Sequence, residues 1–405
     1  MRRILARVIL TLAAIVSPGR LMAQETVSSP LTWMQHTLQS SVLGAERAYR
    51  VALPASYAGA PHQRYPVLVI LDANDEPQFL AAVANARFLG TRAEIPELII
   101  VGVPNAEGMR TRDLSPAPNA AMAQMFPDAG GADRFLAFLG DELLPAVRNA
   151  YRALPATFLA GHSFGGLFGV HAAATKPDLF AGTIAMSPAL QWNDSEAVTQ
   201  YADLLAKRTT PHRLFVTSAP FEPPIDTATL RFIARFDSVD GSAVALGHAR
   251  YLDDHHGLTP LRSFIDGLRF LFQPISLTAA NAVDPMPMDS AQFVAHASVM
   301  ERQYAAGARS LGLPETIPEP VLNQWGYTAL QRPGQPLPGA AVAIFRRNAA
   351  LYPESANVYD SLGDGLLAAG DTAGARAQFA KAVELARVSG HPVLATSERK
   401  LAELK

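Results

Sequence analysis

The sequence predicts an α/β protein in which a mostly parallel β-sheet is covered on both faces by helices and is followed by a small all-α region. Two observations predict this fold class. Between about residues 65 and 275, short and continuously apolar runs alternate with segments of helical periodicity. Strands buried on both faces have this composition, and their alternation with helices is typical of parallel sheets. Beyond about residue 320 the spacing of apolar residues is helical.

The individual elements follow from the local patterns. Residues 24–64 alternate polar and apolar side chains in places, which predicts half-buried strands. The predicted buried strands are Tyr65–Leu71, Leu98–Val103, Ala156–Ala160, Ala181–Met186 and Leu214–Ser218, with a weaker one between Ala243 and Leu252. The predicted helices are Pro77–Leu89, Ala132–Tyr151, Leu167–Ala174 and Thr259–Phe272. Functional residues should collect beyond the carboxyl ends of such strands.

Composition bounds the class of protein. The 405 residues are 49% hydrophobic and 17% charged, as in a globular protein with a sizeable core. There are no cysteines, which excludes disulfides, thiolate metal sites and a cysteine nucleophile. Basic and acidic residues nearly balance, at 34 and 36, so nucleic acid is not an expected partner.

The N-terminus has the pattern of a secretory signal. Three arginines stand among the first seven residues, followed by the short apolar run Val8–Val16 and the cleavage box Leu21–Ala23. The pattern predicts a signal peptide over residues 1–23 and an exported mature protein, periplasmic or secreted, without a membrane span. The alternative is an uncleaved N-terminal anchor.

One short stretch carries the chemistry. Gly161–Gly166 has the pattern G-x-S-x-G between an apolar strand and a helix, which is the context of a nucleophile elbow. Strand and helix approach too closely there for larger side chains at Gly161 and Gly165. We therefore predict that Ser163 is a catalytic nucleophile. The alternative is a glycine-rich turn with a surface serine.

A serine nucleophile needs a base within hydrogen-bond reach. In hydrolases with this elbow the chain order is serine, acid, histidine. The pair His255 and His256 lies in a loop after the last predicted strand, where the base belongs. We favour His256 over His255, because neighbouring residues point in different directions. A metal site over Asp253–His256 is the weaker interpretation, because contiguous ligands rarely converge on one ion. The predicted chemistry requires no metal or cofactor.

The acid should follow the strand Leu214–Ser218. Glu222 stands on the turn after that strand and is the favoured partner of the base, with Asp226 and Asp253 as rivals. The alternative for Glu222 is a solvated loop carboxylate.

Backbone N–H groups should bind the oxyanion. The first is that of Phe164, at the start of the helix after the elbow. The second should come from the turn after Tyr65–Leu71, at Ala73 or Asn74. His162, inside the elbow, could contact the substrate or only orient a neighbour.

The segment from about Ala106 to Gly131 has no clear periodicity, and long loops of this kind are often functional. We call residues 106–131 the flap. Its residues Arg110, Arg112 and Met125 predict cationic and apolar contacts with the substrate. The alternative is a surface excursion packed on the core.

At this point the chain resembles a known family, the putative esterases of the esterase D type, which include siderophore esterases, S-formylglutathione hydrolases and feruloyl esterases. The matching pieces are Tyr65–Leu68 with Leu71–Asp72, Val101–Asn105, Gly131–Phe135, Gly161–Phe168, Ser187–Leu190 with Trp192, and His256–Gly257 ahead of Gly267–Phe272. The resemblance covers roughly residues 35–275. It implies an α/β-hydrolase fold and a triad with Ser163 as nucleophile, His256 as base and Glu222 in the place of the acid. The match at Trp192, together with the flap residues, predicts a substrate contact there.

The C-terminal part has its own periodicity. Residues 276–321 read as a linker with one helix, and 390–405 as a helical tail. Within 322–389, Trp325 and Tyr359 are 34 residues apart, as are Phe345 and Phe379, which is the tetratricopeptide period. Such repeats suggest a protein partner. Because two repeats are fewer than the usual three, a region docked on the α/β part, residues 24–275, is favoured.

The sequence therefore predicts an exported serine hydrolase that cleaves a carboxylic ester through an acyl-enzyme. One alternative on the same triad is an acyltransferase or a siderophore-type esterase. The alternative from another class is a scaffold protein acting through its helical repeats.

Overall fold

The central feature of the molecule is one β-sheet. The computed structural model describes residues 31–58, 60–239, 242–276 and 288–404, so the predicted signal peptide lies outside the described residues. The strands are β1 Met34–Ser40, β2 Ala45–Ala52, β3 Tyr65–Leu71, β4 Ile99–Val103, β5 Ala153–His162, β6 Gly182–Met186, β7 His212–Ser218 and β8 Val244–Arg250. They lie in the order β1-β2-β4-β3-β5-β6-β7-β8. β1 and β2 pair antiparallel with their neighbours, and every pair from β4 to β8 is parallel.

Helices cover the sheet and form the C-terminal region. Those of the α/β part are α1 Glu76–Gly90, α2 Arg110–Leu114, α3 Ala120–Met125, α4 Ala132–Ala137, α5 Leu144–Ala150, α6 Phe164–Thr175, α7 Glu196–Ala206, α8 Pro223–Asp237 and α9 Thr259–Phe272, with a π-helical turn Phe138–Leu143 joining α4 to α5. The C-terminal helices are α10 Ser290–Ser310, α11 Glu319–Leu330, α12 Pro338–Leu351, α13 Ala356–Ala368, α14 Thr372–Ser389 and α15 Leu394–Glu403. The predicted fold class is confirmed.

The sheet is buried on both faces, as its composition predicts. In β3 alternate residues serve opposite faces: Leu68 packs in the cluster that contains Phe79, and Val69 in the cluster that contains Phe168. A strand with two buried faces has no position left for a polar side chain, which explains its continuously apolar sequence.

The flap differs from its expected irregular structure, because it contains α2 and α3. These helices have only five and six residues. A helix of one or two turns is too short to produce a periodic apolar pattern. None of the residues of α3 is buried, which removes the remaining signal.

The C-terminal helices pack on the α/β part. One apolar cluster runs from Phe272 and Ile275 through Tyr304 of α10 to Phe345 of α12. Gly307 of α10 lies so close to the backbone of residue 274 that a Cβ there would be 2.0 Å from its carbonyl oxygen. This packing favours a docked region, while the tetratricopeptide character and a protein partner stay predictions.

The described part of the chain contains no candidate for a membrane-spanning helix. Over the described ranges, from residue 31 onward and with their gaps, no helix combines the length and apolar character needed to span a bilayer.

Candidate active site

Ser163 lies at the sharp turn between β5 and α6. Its backbone has φ 60° and ψ −114°, a conformation that non-glycine residues rarely adopt. The turn is held against the neighbouring strand, because the N–H of Ser163 donates to the carbonyl of Met186 at 2.9 Å and its carbonyl accepts from Ala189 at 3.1 Å. Such a strained residue persists only where its surroundings over-determine it. This is the geometry predicted for the elbow, the stretch Gly161–Gly166.

The elbow glycines are required by space rather than by left-handed backbone. A Cβ on Gly161 would lie 2.3 Å from the carbonyl oxygen of Gly165. On Gly166 it would lie 2.9 Å from the Cα of Pro188. The start of α6 therefore excludes a side chain at Gly161, and the loop after β6 excludes one at Gly166.

His256 is brought next to the elbow by the loop between β8 and α9. The ring centroids of His162 and His256 are 4.2 Å apart. His255 is exposed, which agrees with the preference for His256 as the base.

Glu222 faces His256 from the loop between β7 and α8. Its Oε2 lies 2.9 Å from Nδ1 of His256. In this geometry the ring nitrogen makes no regular hydrogen bond with any described residue, so the contact is a close approach of the two side chains. The Glu222 side chain is 38% exposed and that of His256 is 21% exposed.

The rival acids are placed differently. Asp226 is buried and is held by the guanidinium of Arg250, with oxygen–nitrogen distances of 3.1 and 2.7 Å. Asp253 is exposed. The geometry therefore favours Glu222 as the partner of His256.

Burial lowers the pKa of both site histidines. It lowers the pKa of His162 to about 4, assisted by the charges of His256 and Arg110, while Asp72 and a hydrogen bond from the His162 ring to the backbone of His256 act in the opposite direction. The Nε2 of His162 is buried without a hydrogen-bond partner among the described residues. A neutral ring packed against His256 fits an orienting role better than a substrate contact.

The pKa of His256 is also lowered, mainly by burial. Arg110 and His255 lower it further, and Glu222 raises it. We expect the acid limb of the pH profile of kcat/KM to lie below the usual histidine value of about 6.5, because the base must be neutral to accept a proton. Activity should fall as pH drops through that limb and stay level at neutral pH. A limb above pH 7 in a steady-state titration would contradict this assignment.

The two candidates for the second oxyanion donor are not equivalent. The N–H of Ala73 donates to the carbonyl of Val103 at 3.2 Å, so it is already engaged. The N–H of Asn74 makes no hydrogen bond within the described ranges. Phe164 is the first residue of α6 and its N–H has no intrahelical partner. Asn74 and Phe164 are thus the donors still available.

Arg110, predicted to contact the substrate, is held by a carboxylate. Its guanidinium binds Asp72 through two hydrogen bonds, of 2.6 and 2.9 Å. Asp72 also accepts from the side chain of Asn105 at 2.5 Å. The sequence analysis assigned no role to Asp72 or Asn105. Asp72 directly follows β3, and Asn105 is the second residue after β4. This position at the carboxyl ends of the strands is the signal that could have identified them.

Arg112 is bound by a neighbouring carboxylate. Its Nε donates to Asp113 at 2.9 Å, and Asp113 also forms a buried ion pair with Arg47 at 2.5 Å. These contacts hold part of the Arg112 guanidinium within the flap, and its contact with the substrate stays a prediction.

The end of the flap meets the elbow through three aromatic rings. Trp192 has ring centroids 5.7 Å from Phe126 and 5.6 Å from Phe164. Trp192 is only 4% exposed, so it packs behind Phe126 and Phe164 and offers little surface to a substrate. Met125, by contrast, is 65% exposed at the end of α3. The prediction of an apolar contact therefore rests on Met125 and Phe164.

The sheet and the elbow together define an α/β-hydrolase fold, with Ser163 at the turn between β5 and α6. Residues 40–227 match the model of the family described as putative esterase. The resemblance to putative esterases seen in the sequence is thereby confirmed over these residues.

Named relatives agree with the family match. The chain is 29% identical over 194 residues to the ferri-bacillibactin esterase BesA of Bacillus subtilis, covering 44% of this chain and 66% of that protein. It is 34% identical over 119 residues to the siderophore enterobactin esterase of Emericella nidulans, covering 25% of this chain and 39% of that protein. The chain thus spans less than two thirds of the length of either curated relative.

A solved structure shows the same fold. The IroE-like serine hydrolase from Shewanella oneidensis superposes with a TM-score of 0.59 and 25% identity, over 74% of this chain and 93% of that one.

Proposed function

We propose that this protein is an exported serine esterase that cleaves carboxylic esters with Ser163, His256 and Glu222. The observation that carries the proposal is the 2.9 Å approach of Glu222 to His256, whose ring lies beside the elbow. Export is proposed from the signal-like pattern of residues 1–23.

The reaction follows from the roles of the three side chains. His256 takes the hydroxyl proton as Oγ of Ser163 attacks the acyl carbon, and the oxyanion that forms accepts hydrogen bonds from backbone N–H groups. Collapse of this intermediate expels the alcohol, which receives the proton from His256. Water then attacks the acyl-enzyme with His256 again as base, releasing the acid and restoring Ser163. Glu222 orients the imidazole and stabilises its charged form.

A siderophore-type ester is the substrate class that the relatives favour, because BesA and the Emericella protein carry siderophore names. The aromatic contact of Phe164 with Phe126 beside the elbow is compatible with an apolar or aromatic acyl group.

The test is hydrolysis of p-nitrophenyl esters from acetyl to lauroyl, and of enterobactin, by the protein recovered from the exported fraction. Its N-terminus should be Gln24. We expect turnover of at least one ester and stoichiometric labelling of Ser163 by a fluorophosphonate. An exported protein that is neither labelled nor active on any of these esters would reject the proposal and favour the scaffold reading.

A further inference from the structure

We infer that Asp72 and Arg110 form a neutralised pair that positions the elbow, with Arg110 cancelling the charge of a carboxylate that lies beside the oxyanion site. Arg110 is then a positioning residue rather than a substrate contact. This inference rests on the proposed function and extends it to two residues outside the triad.

Asp72 is an unusual residue at the end of β3. It is only 6% exposed and has φ 57°, a left-handed conformation. A Cβ built on Gly165 would lie 3.1 Å from its Oδ2, so the carboxylate borders the elbow directly. Gly165 follows Phe164, whose N–H is the proposed oxyanion donor. A negative group is therefore built in next to the place where negative charge develops.

Arg110 binds this carboxylate through two nitrogens of its guanidinium. Its Nε lies 2.6 Å from Oδ1 of Asp72 and one terminal nitrogen lies 2.9 Å from Oδ2. The same terminal nitrogen donates to the carbonyl of His162 at 3.2 Å. One guanidinium thus joins the ends of β3 and β5 to α2. The planar fork of arginine suits this two-sided contact, whereas the point charge of lysine does not.

The electrostatic consequence concerns the transition state. An unpaired carboxylate beside the oxyanion would repel it, and a buried charge without its partner is strongly unfavourable. With Arg110 in place the pair carries no net charge. The elbow N–H groups can then stabilise the oxyanion without repulsion from the Asp72 carboxylate.

The pair also acts on the base. The charged or titratable groups facing His256 are Glu222, His255, Arg110 and the ring of His162. The charge of Arg110 lowers the pKa of His256. Loss of Arg110 should therefore raise that pKa and move the acid limb of activity to higher pH.

A substrate-contact role makes a different prediction. Two of the guanidinium nitrogens are occupied by Asp72, and the Arg110 side chain is 36% exposed. If the remaining donors bound substrate, removing Arg110 would raise KM, and removing Asp72 as well would not restore activity.

The experiment is a double-mutant cycle with p-nitrophenyl butyrate over pH 5–9, using Arg110→Met, Asp72→Asn and both together. We expect Arg110→Met to lower kcat by about 10- to 100-fold with little change in KM. This loss is smaller than the loss of about 10³-fold expected for the triad variants. Its acid limb should move to higher pH. The double variant should be at least about tenfold faster than Arg110→Met alone, since the unpaired carboxylate is gone. The rate of fluorophosphonate labelling of Ser163 should follow the same order.

The matched control is the exposed pair of Arg235 and Asp203, joined at 2.7 Å on the surface. Arg235→Met and Asp203→Asn should leave kcat and the pH profile unchanged. Where Arg110→Met fails to fold, the double variant should recover the fold. Arg110→Lys should fold and keep the pH profile, because it retains the charge.

A double variant no faster than Arg110→Met, or one that also fails to fold, overturns the inference, as does a loss confined to KM. These results differ from failure of the proposed function, in which the unmutated protein itself neither turns over esters nor labels at Ser163.

Discussion

Replacing Ser163 by alanine should lower kcat/KM on p-nitrophenyl esters at least about 10³-fold, and His256→Ala should cost a similar factor. The two losses should be alike because the base is useful only when it activates the nucleophile, so removing either disables both. The measurement is steady-state kinetics of the purified variants, with circular dichroism to establish that each is folded.

His255→Ala is the matched control for this pair, since His255 is the exposed neighbour and the alternative base. It should retain activity within about threefold, with the remaining change due to its effect on the pKa of His256. Full activity of Ser163→Ala would end the proposed mechanism. Loss in His255→Ala in place of His256→Ala would reassign the base.

Glu222→Gln should lower kcat by about 10²–10³-fold. The substitution keeps the size of the side chain but removes the charge that orients His256 and stabilises its protonated form. The decrease in kcat should be smaller than that caused by replacing a fully buried acid. The reason is that the Glu222 side chain is 38% exposed, so solvent screens part of its charge. Glu222 raises the pKa of His256, so the acid limb of the variant should move to lower pH.

The rival acids supply the comparison for Glu222. Asp253→Asn should be as active as the unmutated protein, because this side chain is exposed. Asp226→Asn removes the partner of Arg250 and should lower the melting temperature more than the turnover number. A loss of about 10²-fold in kcat for either variant, with Glu222→Gln active, would show that the acid is assigned wrongly.

Much of the fold could be predicted because burial leaves a local signature. The continuously apolar run at Tyr65–Leu71 is a strand with two buried faces, and its limits were predicted correctly. The flap helices α2 and α3 escaped prediction, since elements of five and six residues with few buried positions have no periodicity to read.

The contacts of the flap arginines depend on residues far away along the chain, directly for Arg110 and through Asp113 for Arg112. Arg110 meets Asp72 across 38 residues, and Arg112 meets its own neighbour Asp113, which Arg47 also binds across 66 residues. A cationic side chain in an irregular segment looks available for substrate when only the sequence is known. Its actual contacts are decided by which strand ends lie beside it.

The sequence by itself determined the elbow around Ser163 and the apolar strands that carry it, and it predicts the chain order of nucleophile, acid and base. These features are local, because a sharp turn needs glycines and a doubly buried strand needs apolar residues. Only the tertiary structure decided that Glu222 rather than Asp226 faces His256, that Ala73 has already used its N–H, and that Arg110 is held by Asp72. Each of these depends on distances between loops at the ends of neighbouring strands, and the order of strands in the sheet sets those distances.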